Sequence, residues 1–146
     1  MASEQGKMMK RFTIHVPMLR KKGMLEQMEA FYEGILRYER DSELNVFRVP
    51  SHLNLAICFK YSNLAEGGNG KEKNSLYEFS IEKNFPSVCR DLKEKGVEFD
   101  MLARTPGFYF ARILDPSGNS IEIISESFED DSNFDISSWS IYQDIG

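Results

Sequence analysis

The amino-acid sequence predicts an α+β fold made of two consecutive modules, each with the order strand, helix, strand, strand, strand. Apolar residues alternate with polar ones in short segments bounded by turn residues, and they change to a helical spacing at corresponding points of the two halves. Residues 63–74 are rich in glycine and charge without an apolar period, which is typical of a solvated connector. The module boundary is therefore expected there.

The first module spans residues 11–62 and follows an N-terminal extension of residues 1–10. In residues 11–18 the apolar side chains share one face, and His15 points to the opposite face. Apolar residues then recur at helical intervals from Met24 to Leu36, which predicts one amphipathic helix of about three turns. Three short strands are expected after it, over residues 37–41, 44–49 and 53–60.

The second module spans residues 75–127 and repeats the order of elements more than the residues themselves. Residues 76–82 alternate as a strand, and residues 86–95 form a helix that Gly96 ends. The segment Asp115–Gly118 has the Pro and Gly of a tight turn. The three remaining strands are expected over residues 98–104, 108–114 and 119–125.

Residues 128–146 form an acidic, serine-rich tail that is too apolar for a purely disordered extension. Its single tryptophan, Trp139, is typical of an anchor. We expect the tail to dock, either over its own module pair or on a partner chain.

Composition limits the classes of function. The chain has 18 basic and 23 acidic residues, and no basic residue follows Arg112. It lacks the concentrated basic surface that a nucleic acid requires, so no nucleic-acid partner is expected. No apolar run has the length of a membrane span or a signal peptide. Cys58 and Cys89 suit buried reduced thiols. A cytoplasmic protein without a membrane partner is the prediction.

Three motifs carry a resemblance to a known superfamily. The stretch Ile113–Ile123 contains Asp-Pro-Ser-Gly-Asn before a strand with a central Glu, and it resembles the last hairpin of vicinal-oxygen-chelate proteins. Residues 30–36 are similar to the end of that superfamily's first helix, and residues 92–97 to the end of its second. The three motifs occur in the expected order and cover residues 11–126.

The resemblance to this superfamily, which includes glyoxalases, bleomycin-resistance proteins and extradiol dioxygenases, implies two βαβββ modules whose curved sheets form a half-open barrel, or cup, around a ligand. Its glyoxalases and dioxygenases hold a divalent metal in the cup, such as Zn, Ni, Mn or Fe, and its bleomycin-resistance proteins hold none. The cup is often completed across a homodimer. The resemblance thus implies a small-molecule ligand and a homodimer, with a metal as an open alternative.

Two residues match the superfamily's first and last ligand positions, His15 and Glu122. Alternation aims both away from the apolar side, and Glu78 shares that orientation. A divalent metal requires three or four such donors that converge on one point, and only these three can be nominated. The metal set is therefore incomplete. Glu122 and Glu78 are alternatively a general acid and base, or one of them pairs with Arg112 or Lys60. The remaining ligand-binding candidates are Arg112, Asn54 and Tyr109.

Three classes of function stay open at this point. The first is a glyoxalase-family protein that binds a small organic ligand, either as a lyase or isomerase with an incomplete metal site or as a metal-free binding protein of the bleomycin-resistance type. The second is a metal-dependent glyoxalase or dioxygenase. The third is a regulatory or scaffold dimer with a filled cup, and fold alone does not decide among them.

Overall fold

The structure, a computed structural model, describes residues 10–61 and 75–146. The chain divides into two compact units, Met1–Gly68 and Asn69–Gly146. Each unit contains the order strand, helix, strand, strand, strand. The predicted α+β fold with two βαβββ modules is confirmed. Residues 1–9 of the expected N-terminal extension and the expected connector 63–74 lie outside the described residues.

The first module forms a four-stranded sheet with the order β1-β4-β3-β2. Strand β1 runs parallel to β4, and the other pairs are antiparallel. The helical segment begins as an α-helix, α1, and continues as a π-helical turn, in which the Leu36 N–H donates to the Phe31 carbonyl five residues back. The elements are β1 Phe12–Met18, α1 Met24–Glu29, the π-helical turn Ala30–Ile35, β2 Glu39–Asp41, β3 Val46–Val49 and β4 His52–Tyr61.

One face of this sheet packs on the helical segment. Phe59 lies in register with Val16, and its ring centroid is 5.5 Å from that of Tyr32 and 5.1 Å from that of Phe47. Because side chains alternate along a strand, this packing turns His15 and its in-register neighbour Cys58 to the opposite face. Phe12, at the strand's start, is 59% exposed despite its apolar position.

The second module forms a five-stranded sheet with the order β5-β8-β7-β6-β9. Strand β5 is parallel to β8, β9 is parallel to β6, and the other two pairs are antiparallel. Its elements are β5 Tyr77–Ser80, α2 Phe85–Glu94, β6 Glu98–Arg104, β7 Tyr109–Leu114, β8 Ser120–Ser125, a 3-10 turn Ile136–Ser138 and β9 Tyr142–Asp144.

Helix α2 covers one face of this second sheet. The Phe85 ring stacks on Tyr109 with centroids 4.8 Å apart, and Ile121 and Ile123 are fully buried on the same face of the sheet. This arrangement corrects the expectation for Tyr109, which was a ligand-binding candidate. Its ring lies in the core beneath α2, because Tyr109 has the same strand parity as the buried residues Ala111 and Ile113.

The tail crosses the helix side of its own module and adds a strand that the sequence did not predict. The Trp139 ring contacts Phe99 and Phe134, and the Lys93 ammonium lies 4.4 Å from the Trp139 ring centroid. Ile136 is buried, and the final residues pair with β6 as β9. The contacts that the structure describes for this tail are with α2, the loop before it, and the strands β6 and β7 of its own module.

No helix among the described residues combines the length and the apolar character that crossing a bilayer would require.

Candidate functional site

Two carboxylates lie side by side on the face of the second sheet that α2 does not cover. Glu78 of β5 and Glu122 of β8 are in register on parallel neighbouring strands, and such strands are about 4.8 Å apart. Glu122 is also in register with Arg112 of β7 on its other side. The row across three strands is therefore acid, acid, base.

The base in this row is held by a different carboxylate. The Arg112 Nε–H donates to Asp100 Oδ2 at 2.8 Å. The pairing of β6 with β7 shifts register between Phe99 and Met101, which leaves Asp100 as the extra residue. Such bulges redirect a side chain. Among the described residues, the ion-pair partner of Arg112 is Asp100 and not Glu78 or Glu122.

A depression of about 500 Å³ opens where β5 and β8 end. Ser80 and Ile124 line it and lie two residues after Glu78 and Glu122 on the same strands, and therefore on the same face. The full lining is Ser80, Ile81, Glu82, Ile124, Glu126 and Ser127. The two carboxylates thus adjoin a space of the size that small organic ligands occupy.

The uncovered face of the first sheet carries a different set of groups. A depression of about 310 Å³ is lined there by His15, Cys58, Thr13 and Lys60, together with Arg11 and the turn before β3. The Arg11 Nε–H donates to Thr13 Oγ1 at 2.8 Å. Among the described residues, no carboxylate forms an ion pair with Arg11 or Lys60. This depression is basic, whereas that of the second module is acidic.

The donors present within each module do not fit a divalent metal. Within the part of the chain that the structure describes, no three His, Cys, Asp or Glu side chains group closely enough to hold a metal ion. His15 shares its depression with the cations Arg11 and Lys60, which would repel a metal. The second module supplies the pair Glu78 and Glu122, with a guanidinium next in the row.

Most sequence-predicted site residues lie on the uncovered faces. Glu78, Glu122 and Arg112 are brought together in one row of the second module. His15 lines the depression of the first module, and Asn54 lies exposed on β4. Tyr109 is the exception, because it is in the core.

One residue of interest was not among the predicted site residues. Cys58 was expected to be buried, and the structure leaves it partly exposed in register with His15. The signal was available in the sequence, since alternation from Asn54 through Ala56 places Cys58 on the face opposite the core. Cys89, in contrast, is fully buried on α2.

The fold is similar to that of several solved structures. The fosfomycin resistance protein FosX from Listeria monocytogenes has a TM-score of 0.57 at 20% identity, and the match covers 80% of this chain and 93% of that protein. A glyoxalase/dioxygenase from Nostoc punctiforme has a TM-score of 0.58 at 16% identity, with 80% and 92% covered. A glyoxalase/bleomycin resistance protein/dioxygenase from Alicyclobacillus acidocaldarius has a TM-score of 0.57 at 16% identity, with 85% and 96% covered.

No protein-family model matches the chain, and no curated protein matches it in sequence. The likeness is therefore one of three-dimensional structure at low identity, and it agrees with the resemblance seen in the hairpin and helix motifs. The chain has the fold of the glyoxalase, bleomycin-resistance and dioxygenase superfamily.

Proposed function

We propose that this protein binds a small organic molecule and acts on it as a lyase or isomerase, with Glu122 and Glu78 as the acid–base pair. The observation that carries this proposal is the register of the two carboxylates beside the depression of the second module. Arg112 is proposed to orient an anionic or carbonyl group of the ligand. Within the first module, His15 and Asn54 are proposed as ligand-binding residues of that module's own uncovered face.

The arrangement of the carboxylates is unfavourable for the fold, which supports a functional role. Like charges directly opposite each other on neighbouring strands destabilise a sheet by up to about 1 kcal/mol. The Arg112 guanidinium reduces this repulsion only slightly, because it is paired with Asp100. Natural proteins retain such unfavourable interactions mainly at functional sites.

Two adjacent carboxyl groups can transfer a proton without any change of oxidation state. The ionised carboxylate takes a proton from a carbon next to a carbonyl group, and the protonated carboxyl returns one to a neighbouring atom of the ligand. Isomerases and lyases that act by proton transfer can use such a pair. The reaction then requires no metal, in keeping with the donor set of this site.

The test begins with a search for ligands. Small hydroxy acids, keto acids and aldehydes are screened by thermal unfolding, and those that raise the Tm are tested for proton exchange with D₂O by NMR. We expect Glu122→Gln to abolish exchange at the carbon next to the carbonyl group. Glu98→Gln, an exposed strand carboxylate in register with Leu114, is the matched control and should leave exchange intact.

The outcomes separate the remaining alternatives. Binding without exchange in the wild-type protein would contradict the catalytic part of the proposal and favour a binding protein of the bleomycin-resistance type. A stoichiometric metal in protein purified without chelator, lost in Glu122→Gln, would favour a metal-dependent enzyme. The proposal also includes a homodimer in the cytoplasm, and light scattering measures the number of subunits.

A further inference from the structure

We propose that Cys58 and His15 form a thiol–imidazole pair that adds covalently to small electrophilic carboxylates. The site is the depression of the first module. The inference does not depend on the acid–base role of Glu122 and Glu78, which lie on the other module.

The geometry of β1 and β4 brings the two groups together. His15 and Cys58 are in register on parallel strands, and both side chains are on the face that the helix does not cover. Cys58 is partly exposed, and both residues line the same depression of about 310 Å³. A neutral imidazole beside a thiol can accept its proton and leave the thiolate, which is the nucleophile.

The other groups in the depression select the charge of the ligand. Lys60 lies on the same face of β4 as Cys58, two residues further on, and Arg11, the residue just before β1, lines the same depression. Thr13, between Arg11 and His15 in the sequence, also lines it and offers a hydroxyl. Two cations without an ion-pair partner among the described residues attract a carboxylate. The volume of about 310 Å³ is sufficient for a small organic molecule.

The addition balances without an oxidant or a reductant. The Cys58 thiol gives its proton to the His15 imidazole, and Sγ forms a bond to the β-carbon of an α,β-unsaturated carboxylate. The π electron pair moves to the α-carbon, which takes the proton back from the imidazolium. The product is a thioether, and the only bond broken besides S–H is the π bond.

The chain provides its own internal reference thiol. Cys89 is fully buried in α2, and burial raises the pKa of its thiol, so Cys89 should stay unmodified in the folded protein. Every modification of the native protein is then assigned to Cys58 by mass spectrometry of its peptides, and Cys58→Ser should remove it.

The experiment compares two alkylating reagents of the same size and different charge, iodoacetate and iodoacetamide. At Cys58 the rate ratio of iodoacetate to iodoacetamide should exceed that of free N-acetylcysteine by about fivefold, which corresponds to about 1 kcal/mol of attraction. Lys60→Met should reduce this ratio and keep the iodoacetamide rate. Lys95→Met, an exposed lysine at the end of α2, should change neither rate.

The role of the imidazole is measured separately. His15→Gln should lower both alkylation rates near pH 7 by about tenfold or more, and raising the pH to 9 should restore most of the loss, since hydroxide then replaces the base. Thermal unfolding of each variant shows that it is folded. A rate ratio at Cys58 equal to that of N-acetylcysteine, or a rate that is the same in His15→Gln, would overturn the inference. Proton exchange is measured separately in Glu122→Gln, so neither result decides the acid–base role proposed for Glu122 and Glu78.

Discussion

Glu78 and Glu122 face each other across the parallel strands β5 and β8, in a row that Arg112 completes without neutralising either carboxylate. Parallel strands that are adjacent in a sheet usually carry apolar or opposite-charge neighbours, because these stabilise the pair. The two glutamates thus occupy the edge strand β5 and its interior neighbour β8, at a cost to the stability of the module.

The first prediction follows from this cost. Glu78→Gln removes one of the two like charges and should raise the free energy of unfolding by about 0.2 to 1 kcal/mol at pH 7 and low salt. Chemical denaturation measures the change, and added salt should reduce it because the charges are on an uncovered face. Glu98→Gln has no carboxylate in register and should be neutral. A destabilised Glu78→Gln would show that the carboxylate has a stabilising partner.

The second prediction concerns the turn that the sequence motif identifies. Asp115 Oδ1 accepts hydrogen bonds from the Ser117 and Asn119 backbone N–H groups, both at 2.9 Å, and Oδ2 accepts one from Asn119 Nδ2 at 2.8 Å. Gly118 has a φ of 84°, a left-handed conformation that favours glycine. The motif therefore has a structural role in forming the last hairpin.

Asp115→Ala should lower the free energy of unfolding by about 3 kcal/mol, because it leaves buried N–H groups without their charged acceptor. Asp91→Ala, on the exposed side of α2, is the control and should change the free energy by less than about 0.5 kcal/mol. Equal effects of the two substitutions in urea denaturation would contradict the structural role of the motif.

Particular residues show how far the sequence predicts this fold. The strand Glu98–Arg104 was predicted to the residue, because Val97 and Gly96 separate it clearly from α2. The single long helix was wrong in its second half, where the structure has a π-helical turn. Apolar spacing alone cannot distinguish the two, since both bury Phe31 and Tyr32.

The site was less predictable than the fold, for two physical reasons. Register between strands depends on tertiary pairing, so the opposition of Glu78 and Glu122 could not be derived from either strand alone. The β-bulge that places Asp100 beside Arg112 has no recognisable local sequence pattern. Tyr109, however, could have been excluded, because it lies three residues from Arg112 on one strand and must face the other way.

The third prediction concerns the tail. Ile136 is 3% exposed and belongs to the 3-10 turn before β9. Ile136→Ala should lower the free energy of unfolding by about 2 kcal/mol or more, as expected for a buried isoleucine. Ile145→Ala is a matched control, because Ile145 is 44% exposed and the substitution leaves the hydrogen bond from its backbone N–H to the Arg104 carbonyl intact. Equal Tm values for the two variants would show that the tail is not part of the module's core.

The fourth prediction concerns the dependence of stability on pH in the first module. Hydrogen bonds from the Arg48 guanidinium, 2.8 Å from Nη2 to Asp41 Oδ2, lower the pKa of the Asp41 carboxyl, and the Leu44 N–H contributes a further bond. A lowered pKa in the folded state stabilises the protein above the pKa of the unfolded chain, which is about 3.9. That stabilisation is lost as the pH falls through the folded-state pKa.

Asp41→Asn should therefore lower the Tm at pH 7, and the difference from wild type should narrow as the pH falls below about 4, where the wild-type carboxyl is protonated too. Arg48→Met should give a similar profile, because it removes the donor that lowers the pKa. Asp91→Asn, outside this ion pair, should follow the wild-type curve over the whole range. A Tm difference for Asp41→Asn that stays constant from pH 7 to pH 2 would mean that the Asp41 side chain stabilises β2 and β3 by contacts that do not depend on its charge.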